Sequence, residues 1–345
     1  MKNSIAWSAA AVLLWCADVA LAREKAASSA GDQAQAKLQE DFLTWKFGMF
    51  IHFNLETFVG REWASGYEDP ALFNPWKLDC GQWADAARAA GMKYAVLTTK
   101  HTEGYALWDS QYTTHNITAF KNYKHGQGDI VREFVDAFRK RGLKVGFYYC
   151  FPGDYSGSGT NSTLLAGQSD LHGLPPEAQG DYVGFMKMQL TELLTQYGPL
   201  DLLWVDQYSN PYTGSKWQEI KALVKSLQPN CIVLANNSLD FRDSDIQSYE
   251  YPYQKISHPN RALPRDDNQA AAEVCDVLGP SWFWNSGHNE FNLQKAEAVA
   301  AMVRLCNARH ANYLLDVPPD NTGRIPDFYV KRLKEIGALL KQMPR

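Results

Sequence analysis

Short apolar runs alternate with amphipathic stretches along most of this 345-residue chain, and no other feature restricts the possible folds as much. Apolar runs that recur after stretches of helical spacing describe parallel strands buried on both faces and covered by crossover helices. The runs fall at 47–53, 94–99, 145–150, 202–205, 232–235, 246–249, 282–284 and 313–317. Helical spacing joins Trp217, Ile220, Val224 and Leu227, and again Val183, Met186, Leu190 and Leu193. Asp129 stands where an acidic residue favours a helix start, and Gly142 where a helix stops. Eight such strands predict an α/β fold, a (β/α)8-like TIM barrel filling 40–345 as a single domain and closing with a helix at 328–340.

The first residues read as an export signal. Lys2 precedes an apolar stretch from Ala6 to Trp15, and Ala20-Leu21-Ala22 supplies the small residues a signal peptidase needs. The expected cleavage follows Ala22, a polar lead-in occupies 23–39, and the mature protein is secreted or periplasmic. The apolar stretch is too short to span a bilayer, so no membrane insertion is expected, and Trp15 argues against a lipid anchor on Cys16. The remaining cysteines are odd in number and lack both CxxC and Cys/His spacing, which excludes a sulfur-ligated metal. With 34 basic against 38 acidic groups there is no basic surplus for nucleic acid or anionic membrane to bind. The 11 Trp, 17 Tyr and 16 Phe exceed ordinary packing needs and suit faces on which sugar rings rest.

In a parallel barrel the C-terminal strand ends converge on one rim. The expected ends carry His52, Lys100-His101, Tyr148 and Tyr149, Asp206, Asn236-Asn237, Glu250 and Trp284-Asn285. Any one of these can be packing or a cap. The whole series at equivalent positions points to a site. Two carboxylates on such a rim suit the hydrolysis of a glycosidic bond, where one anion attacks or stabilises C1 and one protonated acid serves the leaving oxygen. Asp206, ending the run Leu202-Leu203-Trp204-Val205, is the expected anion. Glu250, set in Ser248-Tyr249-Glu250-Tyr251, is the expected acid/base, because aromatic neighbours desolvate its carboxyl and keep it protonated. Glu273 is a rival acid and Asp245 a weaker one, and spacing does not decide among them.

A family resemblance rests on longer strings. These are Phe47-Gly48-Met49-Phe50-Ile51-His52-Phe53, Arg61-Glu62-Trp63, Leu72-Phe73-Asn74-Pro75, Lys100-His101 through Gly104 to Trp108-Asp109-Ser110, the string 142–148, Leu203-Trp204-Val205-Asp206 and the string 313–320. In this order they resemble the α-L-fucosidases of glycoside hydrolase family twenty-nine. The resemblance implies a (β/α)8-like barrel, neither metal nor organic cofactor, a fucosylated glycan as substrate, and a retaining double displacement with Asp206, from the Trp-x-Asp motif of Trp204, as nucleophile. It also implies that His52, Glu62, Trp63 and His101 hold the sugar hydroxyls, that Tyr148 is the strand-end tyrosine, and that Trp282 lies near the C6 methyl. The string 68–75 resembles the subgroup acting on 1,3- and 1,4-linked fucose.

The departures are as specific. Thr102-Glu103 replaces a second histidine, Val205-Asp206-Gln207 replaces Phe-Asp-Gly, and His52-Phe53-Asn54 alters the loop after the first strand. Many relatives add a C-terminal β-sandwich, for which no residues are expected here. Alternative readings are a non-catalytic glycan-binding barrel, motivated by Thr102 and Gln207, and a glycosidase acting on a related sugar such as galactose. A metal-dependent hydrolase built on His52 and His101 lacks a His-x-His pair and further ligands.

Overall fold

Eight parallel strands follow one another through the chain in the computed structural model, which describes residues 31–64, 66–150, 181–208 and 216–342. They are β1 Phe47–Ile51, β2 Tyr94–Lys100, β3 Lys144–Cys150, β4 Leu202–Asp206, β5 Ile232–Ala235, β6 Gln247–Glu250, β7 Ala272–Val277 and β8 Ala311–Asp316. The helices used below are α1 Glu56–Val59, α2 Cys80–Ala90, α3 Ile130–Lys140, α4 Tyr182–Gln196, α5 Trp217–Leu227, α6 Tyr251–Ser257, α7 Ala296–Ala308 and α8 Asp327–Lys341. The chain divides into two units, 1–41 and 42–345. Residues 31–41 of the first are helical, and the expected signal at 1–22 lies outside the described residues.

The strand order β5-β4-β3-β2-β1-β8-β7-β6 makes a nearly closed TIM barrel, hydrogen-bonded everywhere except between β5 and β6. Side chains take over at that seam. Ser244 Oγ accepts from the Ala235 N–H at 3.0 Å and Asp245 Oδ2 from the Val233 N–H at 2.9 Å. Asp245 is buried and ion-paired with Lys221 and Lys225 of α5, so the structure assigns it to closing the barrel and not to the rim.

Strand alternation sorts the core into two layers. Met49, Ile51, Ala95, Leu97, Leu203, Val205, Val274 and Leu315 face the helices. Phe50, Val96, Tyr148, Trp204, Leu234, Cys275 and Leu314 fill the barrel. A methyl group built at Gly48 would overlap the Tyr94 ring, so the missing side chain on β1 is what admits that ring to the interior. The Asp129 carboxylate caps α3 by accepting from the Arg132 N–H, and Gly142 follows the helix with φ 71°, both as expected.

One strand is displaced from its expected place. The seventh is Ala272–Val277 and not 282–284, so Trp284-Asn285 does not end a strand. Glu273 and Asp276 hide this strand in the sequence, because both are charged by type yet buried. Gly279-Pro280 keeps the aromatic run after it out of the sheet. All five described cysteines are free and buried.

Candidate active site

Inward-facing residues at the strand ends enclose a cavity of about 520 Å³ at the C-terminal mouth of the barrel. His52, Glu62, Trp63, His101, Tyr148, Trp204, Asp206, Glu250 and Trp282 all line it. The nine residues expected to react with or hold the ligand are therefore brought together, Trp282 from the loop after β7 instead of from a strand, while Lys100, Tyr149 and Trp284-Asn285 of the expected series of strand ends do not line the cavity.

His52 and His101 form one wall. His52 Nδ1 lies 2.7 Å from Asp316 Oδ1 at the end of β8, and His101 Nδ1 lies 2.7 Å from Glu56 Oε1 on α1. Both rings line the cavity. Burial, and then the neighbouring His101, hold His52 well below the usual imidazole range, while burial pushes Asp316 well above the usual carboxyl range. Both shifts favour a neutral, hydrogen-bonded pair over an ion pair. His101 reaches the cavity because the β2–β3 register shifts between Thr98 and Lys100. That irregularity sends Lys100 outward, with Nζ 3.4 Å from Tyr149 Oη, and turns the next residue inward.

The floor is an aromatic stack. The His101 ring lies 5.6 Å from Tyr148, which lies 5.3 Å from Trp204, both near parallel. Trp204 is 2% exposed, so little of the indole is open to the cavity it lines. Its Nε1 donates to Glu273 Oε1 at 3.0 Å, and the Tyr94 hydroxyl donates to Glu273 Oε2 at 2.6 Å. Glu273 is buried beneath the floor and does not line the cavity. Burial pushes it up to about 7 against these two hydrogen bonds. Its geometry suits fixing Trp204, not meeting a glycosidic oxygen.

Asp206 and Glu250 face each other across Asn236. The Asn236 amide donates to Asp206 Oδ1 at 3.0 Å and to Glu250 Oε2 at 2.8 Å. That bridge puts the two carboxylate oxygens no more than about 6 Å apart, which fits the 5–5.5 Å carboxyl spacing of retaining glycosidases better than the wider spacing of inverting ones. The Tyr148 hydroxyl donates to Asp206 Oδ2 at 2.9 Å, and the Gln207 N–H donates to Oδ1 at 2.9 Å. Both stabilise the anion. Glu250 accepts a second bond from Asn237 at 3.1 Å. Burial first, and the Asp206 charge second, push Glu250 up to about 8. Glu250 is thus the member of the pair fitted to carry a proton.

Across the cavity, Glu62 Oε1 accepts from the Trp282 N–H at 2.6 Å, tying two loops together at the cavity wall. The Trp282 ring lies 5.1 Å from His52, and Phe283 packs 5.1 Å from His52 and 4.9 Å from His101. Among the described residues, one group has metal-ligand spacing: donor atoms of Glu56, His101 and Glu103 lie within 4.8 Å of one another. Burial pushes Glu56 up to about 8 and Glu103 well above the usual range, so protonation relieves the charge that a cation would otherwise balance.

Sequence reading did not single out Asp316, Glu56 or Phe283 as site residues, and it placed Asn236 at a strand end without a role. Asp316 and Asn236 were detectable as polar residues ending apolar strands. Glu56 left the signal of a lone acid within Phe53-Asn54-Leu55-Glu56-Thr57-Phe58.

The profile of a family described as Alpha-L-fucosidase matches residues 14–344. The plasma alpha-L-fucosidase of Homo sapiens is 36% identical over 339 residues, covering 86% of this chain and 66% of that protein. Alpha-L-fucosidase 1 of Arabidopsis thaliana is 27% identical over 321 residues, covering 86% and 59%. Among solved structures, alpha-L-fucosidase isoenzyme 1 from Paenibacillus thiaminolyticus superposes with a TM-score of 0.72 at 31% identity, covering 89% of this chain and 76% of that one. The matched region spans little more than half the length of several of these curated relatives.

Proposed function

The chain belongs to the α-L-fucosidase family, and from that premise we propose that it removes terminal α-linked L-fucose from glycans with retention of configuration. Asp206 attacks C1 to form a glycosyl-enzyme while Glu250 protonates the departing oxygen. Glu250, now a base, then directs water onto the same carbon and recovers its proton. The observation that carries this reading is the Asn236 amide held between the two carboxyls, which sets them close together where burial favours the protonated form of Glu250.

The remaining residues hold the sugar. His52, as a neutral pair with Asp316, presents an Nε2–H donor to a hydroxyl oxygen, His101 lines the same wall, and Glu62 accepts from a hydroxyl. Trp282 and Phe283 cover the apolar side of the ring, where the C6 methyl of fucose finds no polar partner to strand. An analogue lacking one gripped hydroxyl leaves buried groups unpaired and is rejected accordingly. We place the enzyme's action outside the cytoplasm on the strength of Lys2, the apolar stretch to Trp15 and Ala20-Leu21-Ala22. Amino-terminal sequencing of the mature protein tests that placement, with Arg23 expected first.

A panel of aryl glycosides followed by proton NMR tests the chemistry. The α-L-fucoside is expected to react, with the α-anomer of fucose formed first. First release of the β-anomer overturns retention, and turnover of the α-galactoside alone replaces the sugar.

A further inference from the structure

We infer that the outer half of this cavity is a leaving-group subsite for a sugar that carries an anion, a sulfate or a carboxylate, gripped by Arg261 with His258 as a second donor. The inference rests on the fucosidase reading above and concerns what the fucose is attached to.

The position of the acid defines the side from which the leaving group departs, because its carboxyl must reach the glycosidic oxygen. Glu250 is the residue immediately before α6. The departing sugar therefore lies along α6 and the turn that follows it. The cavity wall continues there, formed by Leu239, Tyr253, Gln254, Ser257, His258 and Arg261. This wall is tied to the acid itself, since Gln254 Nε2 donates to Asn237 Oδ1 at 2.6 Å and Asn237 Nδ2 donates to Glu250. Leu239 and Tyr253 are each 41% exposed, which leaves apolar surface for the face of a second sugar ring.

The charge pattern makes the subsite selective. Glu62 and Asp206 give the inner cavity an acidic character, which by itself repels an anionic glycan. Arg261 faces the outer part of the same cavity from the turn Pro259–Arg261. Nearby arginines are engaged, Arg242 with Asp240, Arg265 with Asp267 and Arg309 with Asp266. Lys255 on α6 lies over the Tyr251 ring. The Arg261 guanidinium and the His258 ring have no ion pair or side-chain hydrogen bond among the described residues. A guanidinium fork matches the paired oxygens of a carboxylate or sulfate, and it offsets the repulsion from below.

The test compares α-L-fucosides of one disaccharide in neutral, sulfated and uronic-acid forms, with the aryl α-L-fucoside as reference, on the full chain and on Arg261→Gln and His258→Gln. The expected result is a kcat/KM about 5-fold higher for an anionic form than for the neutral one at low salt, the size of a good exposed ion pair. That preference collapses in Arg261→Gln, weakens in His258→Gln and disappears at about 1 M salt. Whether the sulfate or the carboxylate gains more identifies the source of the anion. Equal rates for neutral and anionic forms, or a preference that survives Arg261→Gln, overturn the subsite while leaving the fucosidase reading intact. No turnover of the aryl α-L-fucoside overturns both.

Discussion

On the β1–β2 side of the cavity His52 and His101 are nearly sealed, 5% and 6% exposed, and each is held by a buried carboxyl, whereas on the β4–β6 side Asp206 and Glu250 share one amide and are only half-buried. On the sealed side burial holds His52 and Asp316 toward neutrality, lowering the imidazole and raising the carboxyl. That suits a grip whose donors must not change from one turnover to the next. In the double displacement proposed above the open side needs the reverse, because its acid has to give a proton up and take one back in every cycle. One rim thus divides its work by hydration.

The largest effect that can break this comparison is Asp206→Asn. It is expected to lower kcat on an aryl α-L-fucoside by roughly 10³-fold or more while fucose binding, followed calorimetrically, persists. Near-normal turnover by that variant removes the nucleophile from the open side. Next comes Glu250→Ala, with a loss of roughly 10²–10⁴-fold that shrinks for good leaving groups and is rescued by azide. The wild-type kcat/KM is expected to fall as pH rises through about 8, because the active form is protonated Glu250, and this alkaline limb disappears in the variant. Azide rescue of Glu273→Ala in its place would hand the acid role to the rival.

Substitution on the sealed side sharpens the contrast. Asp316→Asn and Glu56→Gln are expected to lower kcat/KM roughly 5- to 100-fold, chiefly through KM, the consequence of about 1–3 kcal/mol for a mispaired buried group. Neither is expected to move the alkaline limb, and a shifted limb would show that the two sides titrate together. Smaller for activity is Glu273→Ala, which leaves the Tyr94 hydroxyl and the Trp204 indole N–H unpaired. Denaturant unfolding is expected to report a loss of about 1–3 kcal/mol for each. Glu273 is raised in the fold from 4.5 to about 7, so its stability contribution is intact below about 4.5 and lost as pH rises through about 7. Glu273→Gln should flatten that slope. Smallest of all, a chelator is expected to leave activity unchanged, and a loss would place a cation among Glu56, His101 and Glu103.

Much of this site was legible because a strand's period of two is a local property. Phe50 and His52, or Trp204 and Asp206, share a face whatever the rest of the chain does, so a polar residue ending an apolar run announces itself. The seventh strand was not legible, because its inward Glu273 is charged and the apolar signal passed to the aromatic loop at 282–284. Lys100 and His101 were read as a pair at one strand end, yet they point to opposite sides of the sheet.

The sequence by itself determined the order of strands, the barrel they close into, and Asp206 as a carboxylate at a strand tip, because periodicity and composition act within a few residues. Only the tertiary structure decided that Glu250 and not Glu273 meets Asp206, and that Asp316 and Glu56 hold the two histidines. Those choices depend on register, on one shift in β2, and on closure that brings the last strand beside the first. Contacts made across the whole length of a chain leave no trace in any short stretch of it.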